Sequence, residues 1–373
     1  MGRVWKELKR FESLNENESA IVFYAENKAS MNHFKTLIIE LTEKMNLEIC
    51  YVTSVKNDMI FSYKNKKIKS FYIGDGSART KFFLTLKAKI LIMDMPDLEK
   101  YHIKRSKTYP VHYIYIFHSI FSVHSYLRKG AIDNYDTIFC VGPHHVREIK
   151  ETEKVYGLKP KKLITYGFGR LDTLLQQKRK NDKIKSKNKK LIIIAPTYGD
   201  KNLLEVCGVK LIEILLKSNF RILLRPHFKI LKESKELIQT INKKFEWNPD
   251  FILEKGIIPS ELFNSSVCMI SDWSGISLEY AFTFERPVIF IDVPKKILNN
   301  NSNDISLEPI EIRIRYEIGH VIHPNDLEKI PNLINSLTEN EKIKLIRSKT
   351  VYNIGESASV GAKYIQQLNE KLG

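Results

Sequence analysis

Apolar and polar positions fall into two alternating rhythms along the chain. Residues 21–24 form a short apolar run that reads as a buried strand, and residues 48–52, 68–73, 90–93, 112–117, 137–141 and 161–166 read as further strands. Between them the spacing becomes helical, over residues 30–45, 77–87 and 143–156. The rhythm then stops. Residues 176–190 are almost all charged or polar, the mark of a linker or exposed loop rather than an element. It restarts with strands at 191–195, 221–224, 251–253, 267–270 and 288–291, and helical segments at 202–217, 231–244, 276–284, 324–337 and 357–372. An asparagine-rich stretch at 294–307 reads as a mobile loop. Strand–helix alternation in both halves predicts an α/β protein with two parallel-sheet domains, bounded at 1–175 and 191–345. A C-terminal helical segment, 346–373, would pack back across the domains.

One stretch, residues 267–293, carries the strongest local pattern. A buried strand ends in Ser271, Asp272, Trp273, Ser274 and Gly275, and a helix opens at once. Small hydroxyl and glycine residues at a strand-to-helix turn leave the first helical N–H groups without intrahelical partners, and the helix dipole favours negative charge there. Asp272 suits a cap on the turn, with hydroxyls and amides left for phosphate oxygens. Alone, such a junction is equally a structural feature of α/β proteins. Three other strand ends also carry polar chemistry: His118 after 112–117, Thr197 within Pro-Thr-Tyr-Gly-Asp after 191–195, and Arg225-Pro-His227 after 221–224. A single strand-end histidine or arginine has an ordinary reading as a hydrogen-bonded or solvated residue. Parallel strands, however, place all their carboxyl ends on one edge, where open α/β sheets bind ligands.

Composition narrows the classes. The 373 residues are 43% hydrophobic, enough for two full cores. No apolar run reaches the roughly 18 residues of a membrane span, and residues 1–19 lack the apolar core of a signal peptide. Cys50, Cys140, Cys207 and Cys268 are scattered and read as core thiols of a reducing compartment. The expected location is cytoplasmic. With 60 basic and 43 acidic residues the net charge is +17, which favours an anionic partner. The basic residues are dispersed, with no basic helix or zinc motif, so nucleic acid is not the expected partner.

Two imidazoles, a guanidinium and a helix N-terminus fit group transfer from a nucleotide diphosphate. Fixed positive charge and N–H donors stabilise the charge that develops on the diphosphate, and an imidazole can take the acceptor's proton. Walker A, G-x-G-x-x-G, H-E-x-x-H and nucleophile-elbow patterns are absent from the sequence. No carboxylate cluster has metal-ligand spacing; Asp94-Met-Pro-Asp97 is nearest and reads as a loop turn. No cofactor or metal is expected.

In order, His118-Ser119, Gly167-Phe-Gly-Arg-Leu-Asp172, Ala195-Pro-Thr-Tyr198, Arg225-Pro-His227, Ser271-Asp-Trp-Ser-Gly-Ile-Ser-Leu-Glu-Tyr280 and Arg286-Pro-Val-Ile-Phe290 resemble the CDP-glycerol:poly(glycerophosphate) glycerophosphotransferase family. These enzymes build teichoic acids and related polyol-phosphate polymers. The resemblance implies a GT-B fold, two Rossmann-like parallel-sheet domains facing a central cleft, with the acceptor on the N-terminal side and the nucleotide donor on the C-terminal one. It implies His118 as base and His227 as a second catalytic group. It implies Arg225, His227, Ser271 and Ser274 on the donor diphosphate, with Asp272, Gly275 and Thr197 also expected at the donor; in the wider GT-B group a glutamate seven residues after the S-D aspartate holds the ribose, and Glu279 sits at that offset from Asp272. The chain departs from the family in reading Phe-His-Ser-Ile at the first motif, where His-Gly-Thr is usual, and Ser-Gly at the S-D turn, where Ser-Ser is commoner.

The implied partners are a CDP-linked polyol donor, a lipid-linked or polymeric surface-glycan acceptor, and the anionic inner face of the cell membrane. A glycosyltransferase using a nucleotide sugar, and a non-catalytic protein that binds polyanions or membranes, remain open alternatives. Glu26 could face the cleft or cap a loop. His124 is a rival base, expected on a helix and less fixed than His118. His144 and His145 are expected at a helix start, and residues 167–172 in a turn pairing Arg170 with Asp172.

Overall fold

The computed structural model describes residues 2–181, 189–254, 260–337 and 341–372. It divides into two compact units: Met1–Thr173 with Leu298–Leu307 and Lys349–Gly373, and Leu174–Ile297 with Glu308–Ser348. Each is built on its own all-parallel sheet.

In the first unit the strands are β1 (Ile21–Ala25), β2 (Ile49–Thr53), β3 (Ile68–Tyr72), β4 (Ile90–Met93), β5 (His112–Ile116), β6 (Thr137–Cys140) and β7 (Lys162–Thr165). They lie in the order β3-β2-β1-β4-β5-β6-β7. Every residue of β1, β2 and β4 is buried, as continuous apolar runs require when helices cover both faces. Phe34, Leu37 and Ile38 of helix Ser30–Ile39 join Ala362 and Ile365 of helix Ser357–Lys371 in one core beneath the sheet. The charged opening of the chain, in which the sequence pattern showed no element, forms helix Arg3–Glu12; it buries Leu8 and sets Phe11 edge-on to Phe71 and Phe82 at 5.4 and 5.2 Å.

The second unit contains β8 (Leu191–Ala195), β9 (Arg221–Leu224), β10 (Phe251–Leu253), β11 (Ser266–Ser271), β12 (Val288–Ile291) and β13 (Gly319–Ile322), in the order β10-β9-β8-β11-β12-β13. The thirteenth strand has no apolar run of its own. Gly319 permits its pairing, since a Cβ there would lie 1.8 Å from the Val288 carbonyl oxygen.

Two expectations change. Residues 176–181 continue helix Gly169–Asn181 rather than forming linker, because straight-chain lysine, glutamine and arginine tolerate a helix; residues 182–188 of that polar run lie outside the described residues. The asparagine-rich stretch is held down: Asn299 and Ile305 are buried, and Asn299 Nδ2 donates to the His124 carbonyl at 2.7 Å. Cys50, Cys140 and Cys268 are buried free thiols that burial pushes up to about 12, which agrees with core packing.

Candidate functional site

In the first unit the chain order reverses between β1 and β4, so the crossovers after these strands diverge and leave a crevice at the carboxyl edge. Ser30, opening the helix after β1, donates its hydroxyl to Asp94 Oδ1 at 3.0 Å. Asp94 follows β4 and is 7% exposed; burial raises its carboxyl to about 7, with the Ser30 bond opposing. His118 stands two residues past β5. Burial holds its imidazole below the ordinary histidine value, with the Asp94 backbone acting the other way. Its ring centroid lies 6.1 Å from that of His33 and 5.7 Å from that of Tyr126. His33 is buried and lowered to about 3 by that burial, then by His118 and Arg170. Glu26, after β1, pairs with Arg79 at 3.2 Å and approaches His102 at 3.6 Å.

The segment beyond His118 is fastened by other imidazoles. His144 and His145, in the first turn of helix Pro143–Tyr156, donate from Nε2 to the carbonyls of Ile120 and Phe121 at 2.7 and 2.9 Å. His124 is better fixed than its place beyond the strand suggested. Its side chain is 2% exposed, with Nδ1 3.1 Å from Glu148 Oε2 and Nε2 donating to the Leu307 carbonyl at 3.0 Å. These contacts turn both ring nitrogens to groups of the protein itself. Asp172 likewise leaves the expected turn: it lies in the first turn of a helix and accepts the Gly355 N–H at 2.6 Å.

In the second unit the reversal falls between β8 and β11. The Ser271 hydroxyl donates to the Ala195 carbonyl across this junction at 2.6 Å. Asp272 accepts the Thr197 amide on Oδ1 at 2.7 Å and the Leu203 amide on Oδ2 at 3.0 Å. Burial raises its carboxyl to about 6 against these bonds. Trp273 anchors the next step, donating Nε1 to the Val293 carbonyl at 2.9 Å, with the Arg315 guanidinium 4.0 Å from its ring. Ser274 and Gly275 then lead into helix Ile276–Phe284, with the Ser277 hydroxyl on the Ser274 carbonyl at 2.7 Å. Glu279 sits in the first turn of that helix.

Arg225 follows β9 directly, its guanidinium 5.6 Å from the Phe263 ring. His227 accepts the Lys229 amide on Nδ1 at 3.2 Å and stacks on Tyr198 at 4.6 Å. Burial first, then Lys296, Lys229 and Arg225, push its imidazole down to about 4. This edge therefore combines a helix N-terminus with several cations, which suits an anion.

Ser271 and Asp272 are expected at the donor. Both side chains are buried, at 0% and 1% exposed, and their polar atoms serve the protein's own backbone. Thr197 meets Asp272 through its amide, and its residue is 8% exposed. Ser274, Gly275 and the helix behind them remain at the turn. The sequence pattern missed Asp94, read as a loop turn, and Lys229 and Lys296. The strand-end rule that singled out His118 also applies to Asp94, which directly follows β4. Among the described residues no group of three or more His, Cys, Asp or Glu is placed to hold a metal ion.

The sequence model of the CDP-glycerol:poly(glycerophosphate) glycerophosphotransferase family matches residues 7–296. No curated protein matches the chain. Among solved structures it is similar to the UDP-GlcNAc 2-epimerase of Methanocaldococcus jannaschii in complex with UDP-GlcNAc and UDP, with TM-score 0.61, 15% identity, and 93% of this chain and 99% of that one covered. It is also similar to the UDP-GlcNAc 2-epimerase of Neisseria meningitidis bound to UDP-GlcNAc, with TM-score 0.59, 12% identity, and coverage of 93% and 100%. A UDP-glucose:anthocyanidin 3-O-glucosyltransferase in complex with UDP matches with TM-score 0.55, 10% identity, and coverage of 95% and 100%. At such identities these likenesses speak for the fold alone.

Proposed function

The chain belongs to the CDP-glycerol:poly(glycerophosphate) glycerophosphotransferase family, and on that premise we propose that it moves a polyol-phosphate unit, glycerol phosphate or a relative such as ribitol phosphate, from a CDP-linked donor to a hydroxyl of a surface polymer or lipid-linked acceptor. The observation that carries this reading is the carboxyl edge of the second sheet. There Arg225, His227 and the N-terminus of helix Ile276–Phe284 gather positive charge and N–H donors suited to a diphosphate. Ser274 and Gly275 supply the turn, Glu279 the contact to the ribose, and Asp272 holds the surrounding loops through Thr197 and Leu203.

On the first sheet His118 is the base. Its ring is kept neutral by burial, so it takes the acceptor proton as the hydroxyl oxygen attacks phosphorus. A new P–O bond to the acceptor forms, the P–O bond within the diphosphate breaks, and CMP leaves with the electron pair. Positive charge on the donor unit stabilises the leaving phosphate.

The acceptor places this work at the inner face of the membrane, with the protein held peripherally. Among the described residues no helix is long and apolar enough to cross a membrane. The net charge of +17 supports attraction to anionic lipid. The deciding experiment offers the protein CDP-glycerol, CDP-ribitol and UDP-sugars with a polyol-phosphate acceptor, then analyses the product linkage. A phosphodiester with CMP release is expected. A glycosidic bond would replace this reading with nucleotide-sugar transfer, and no turnover with any donor would leave a non-catalytic polyanion binder.

A further inference from the structure

Three side chains of the second unit converge on one aromatic ring. Lys296 Nζ lies 2.7 Å from the centroid of the Tyr198 ring and donates to the Tyr198 carbonyl at 2.8 Å. Lys229 Nζ lies 4.2 Å from the same centroid, and the His227 ring stacks on it at 4.6 Å. The arrangement has a backbone cause. Gly199, next to Tyr198, takes φ +96°, a left-handed conformation other residues rarely adopt. Lys229 is brought in by the cap that His227 makes on its amide.

Such crowding of like charge is costly without a counter-ion. Lys229 and Lys296 repel one another, and burial with that repulsion lowers the Lys296 ammonium to about 8. Asp272 and Glu233 act the other way. Neither comes within ion-pair distance: among the described residues, Lys229 and Lys296 form no salt bridge. Asp272 is moreover occupied with the Thr197 and Leu203 amides. The quadrupole of the Tyr198 ring faces both ammonium groups, and the Tyr198 carbonyl accepts from Lys296 as well. A ring face is a weak counter-ion compared with phosphate oxygens.

We propose that Lys229 and Lys296, gathered on Tyr198 beside His227, form a clamp for the phosphate oxygens of the donor, and that Lys296 leaves the Tyr198 ring for those oxygens when a diphosphate binds. The ligand class is a di- or pyrophosphate anion, recognised by charge rather than by its nucleoside. This rests on the donor reading above and adds to it two residues that neither the motif pattern nor strand-end logic supplies.

The test is calorimetric titration of the full chain with inorganic pyrophosphate, CDP and cytidine, for wild type, Lys229→Met, Lys296→Met and Lys296→Arg, with thermal unfolding to confirm that each variant is folded. Each methionine variant is expected to weaken pyrophosphate and CDP about tenfold, as for loss of one charged hydrogen bond. Lys296→Arg should recover most of the loss, and cytidine affinity should not change. In the wild type, pyrophosphate should also perturb tyrosine absorbance, an effect lost in Lys296→Met. CDP and pyrophosphate affinities within twofold of wild type in both methionine variants would overturn the clamp and leave the donor reading standing. Pyrophosphate binding that needs both lysines, without any CDP binding, would keep the clamp and remove the CDP donor instead.

Discussion

The carboxylate of Asp272 receives the amide of Thr197 at 2.7 Å across the point where the second sheet reverses its strand order. The first sheet has a counterpart at its own reversal, where Asp94 receives the Ser30 hydroxyl. In each unit a buried carboxylate directly after the central crossover strand ties down the loop from the neighbouring strand.

Asp272→Asn tests that role in the second unit. Asparagine offers one carbonyl oxygen and one amino group, so one of the two amides now satisfied would face a donor. The variant is expected to unfold at lower denaturant, by about 1–3 kcal/mol at pH 8, the cost of an unsatisfied buried polar group. A denaturation midpoint equal to wild type would show that the two amides find other partners.

Asp94 makes a prediction about pH. Its native carboxyl titrates at about 7 against a reference of 3.8, so the folded chain holds this proton more tightly than the unfolded chain. The stability it contributes is complete below the unfolded value and is lost as pH rises through about 7. Asp94→Asn removes that loss. Relative to wild type, the variant should gain stability between pH 4 and pH 8, by a few kcal/mol at about 1.4 kcal/mol per pH unit. Parallel stability curves for the two proteins across this range would refute the assignment.

His118→Ala should lower turnover by about 10²- to 10⁴-fold, the usual contribution of a general base, while CDP affinity stays close to wild type. His124→Ala should act differently, because it leaves Glu148 buried without its imidazole; stability should fall and any loss of rate should follow the unfolded fraction. Near-normal turnover in folded His118→Ala would remove the base.

Membrane attachment through dispersed positive charge should be soft. Sedimentation with phosphatidylserine-containing vesicles is expected at low salt, falling as salt shortens the Debye length, and absent with neutral vesicles. Binding indifferent to both variables would point to an apolar contact.

The strands were legible because parallel strands buried on both faces must be written as continuous apolar runs, as residues 21–24 and 191–195 are. Position at strand ends was legible for the same reason, and it led to His118 and Arg225. What those side chains do was less so. Ser271 and Asp272 look like ligands in sequence, yet their atoms are spent on Ala195, Thr197 and Leu203, between 69 and 76 residues away. Helix Arg3–Glu12 escaped notice because only Leu8 and Phe11 are buried in an otherwise charged segment. β13 escaped because its pairing depends on a missing side chain at Gly319 rather than on apolar character.

The bond between Asp172 and Ser357 has a consequence for how the protein is made. These residues are 185 positions apart, and the whole second unit is encoded between them. On the ribosome the first sheet is finished early, but Ala362 and Ile365, which complete its core, emerge only after the whole second unit. Throughout that interval the nascent first unit has an uncovered apolar flank and an Asp172 carboxylate still waiting for Gly355 and Ser357. Vectorial synthesis thus makes the N-terminal unit the later of the two to close.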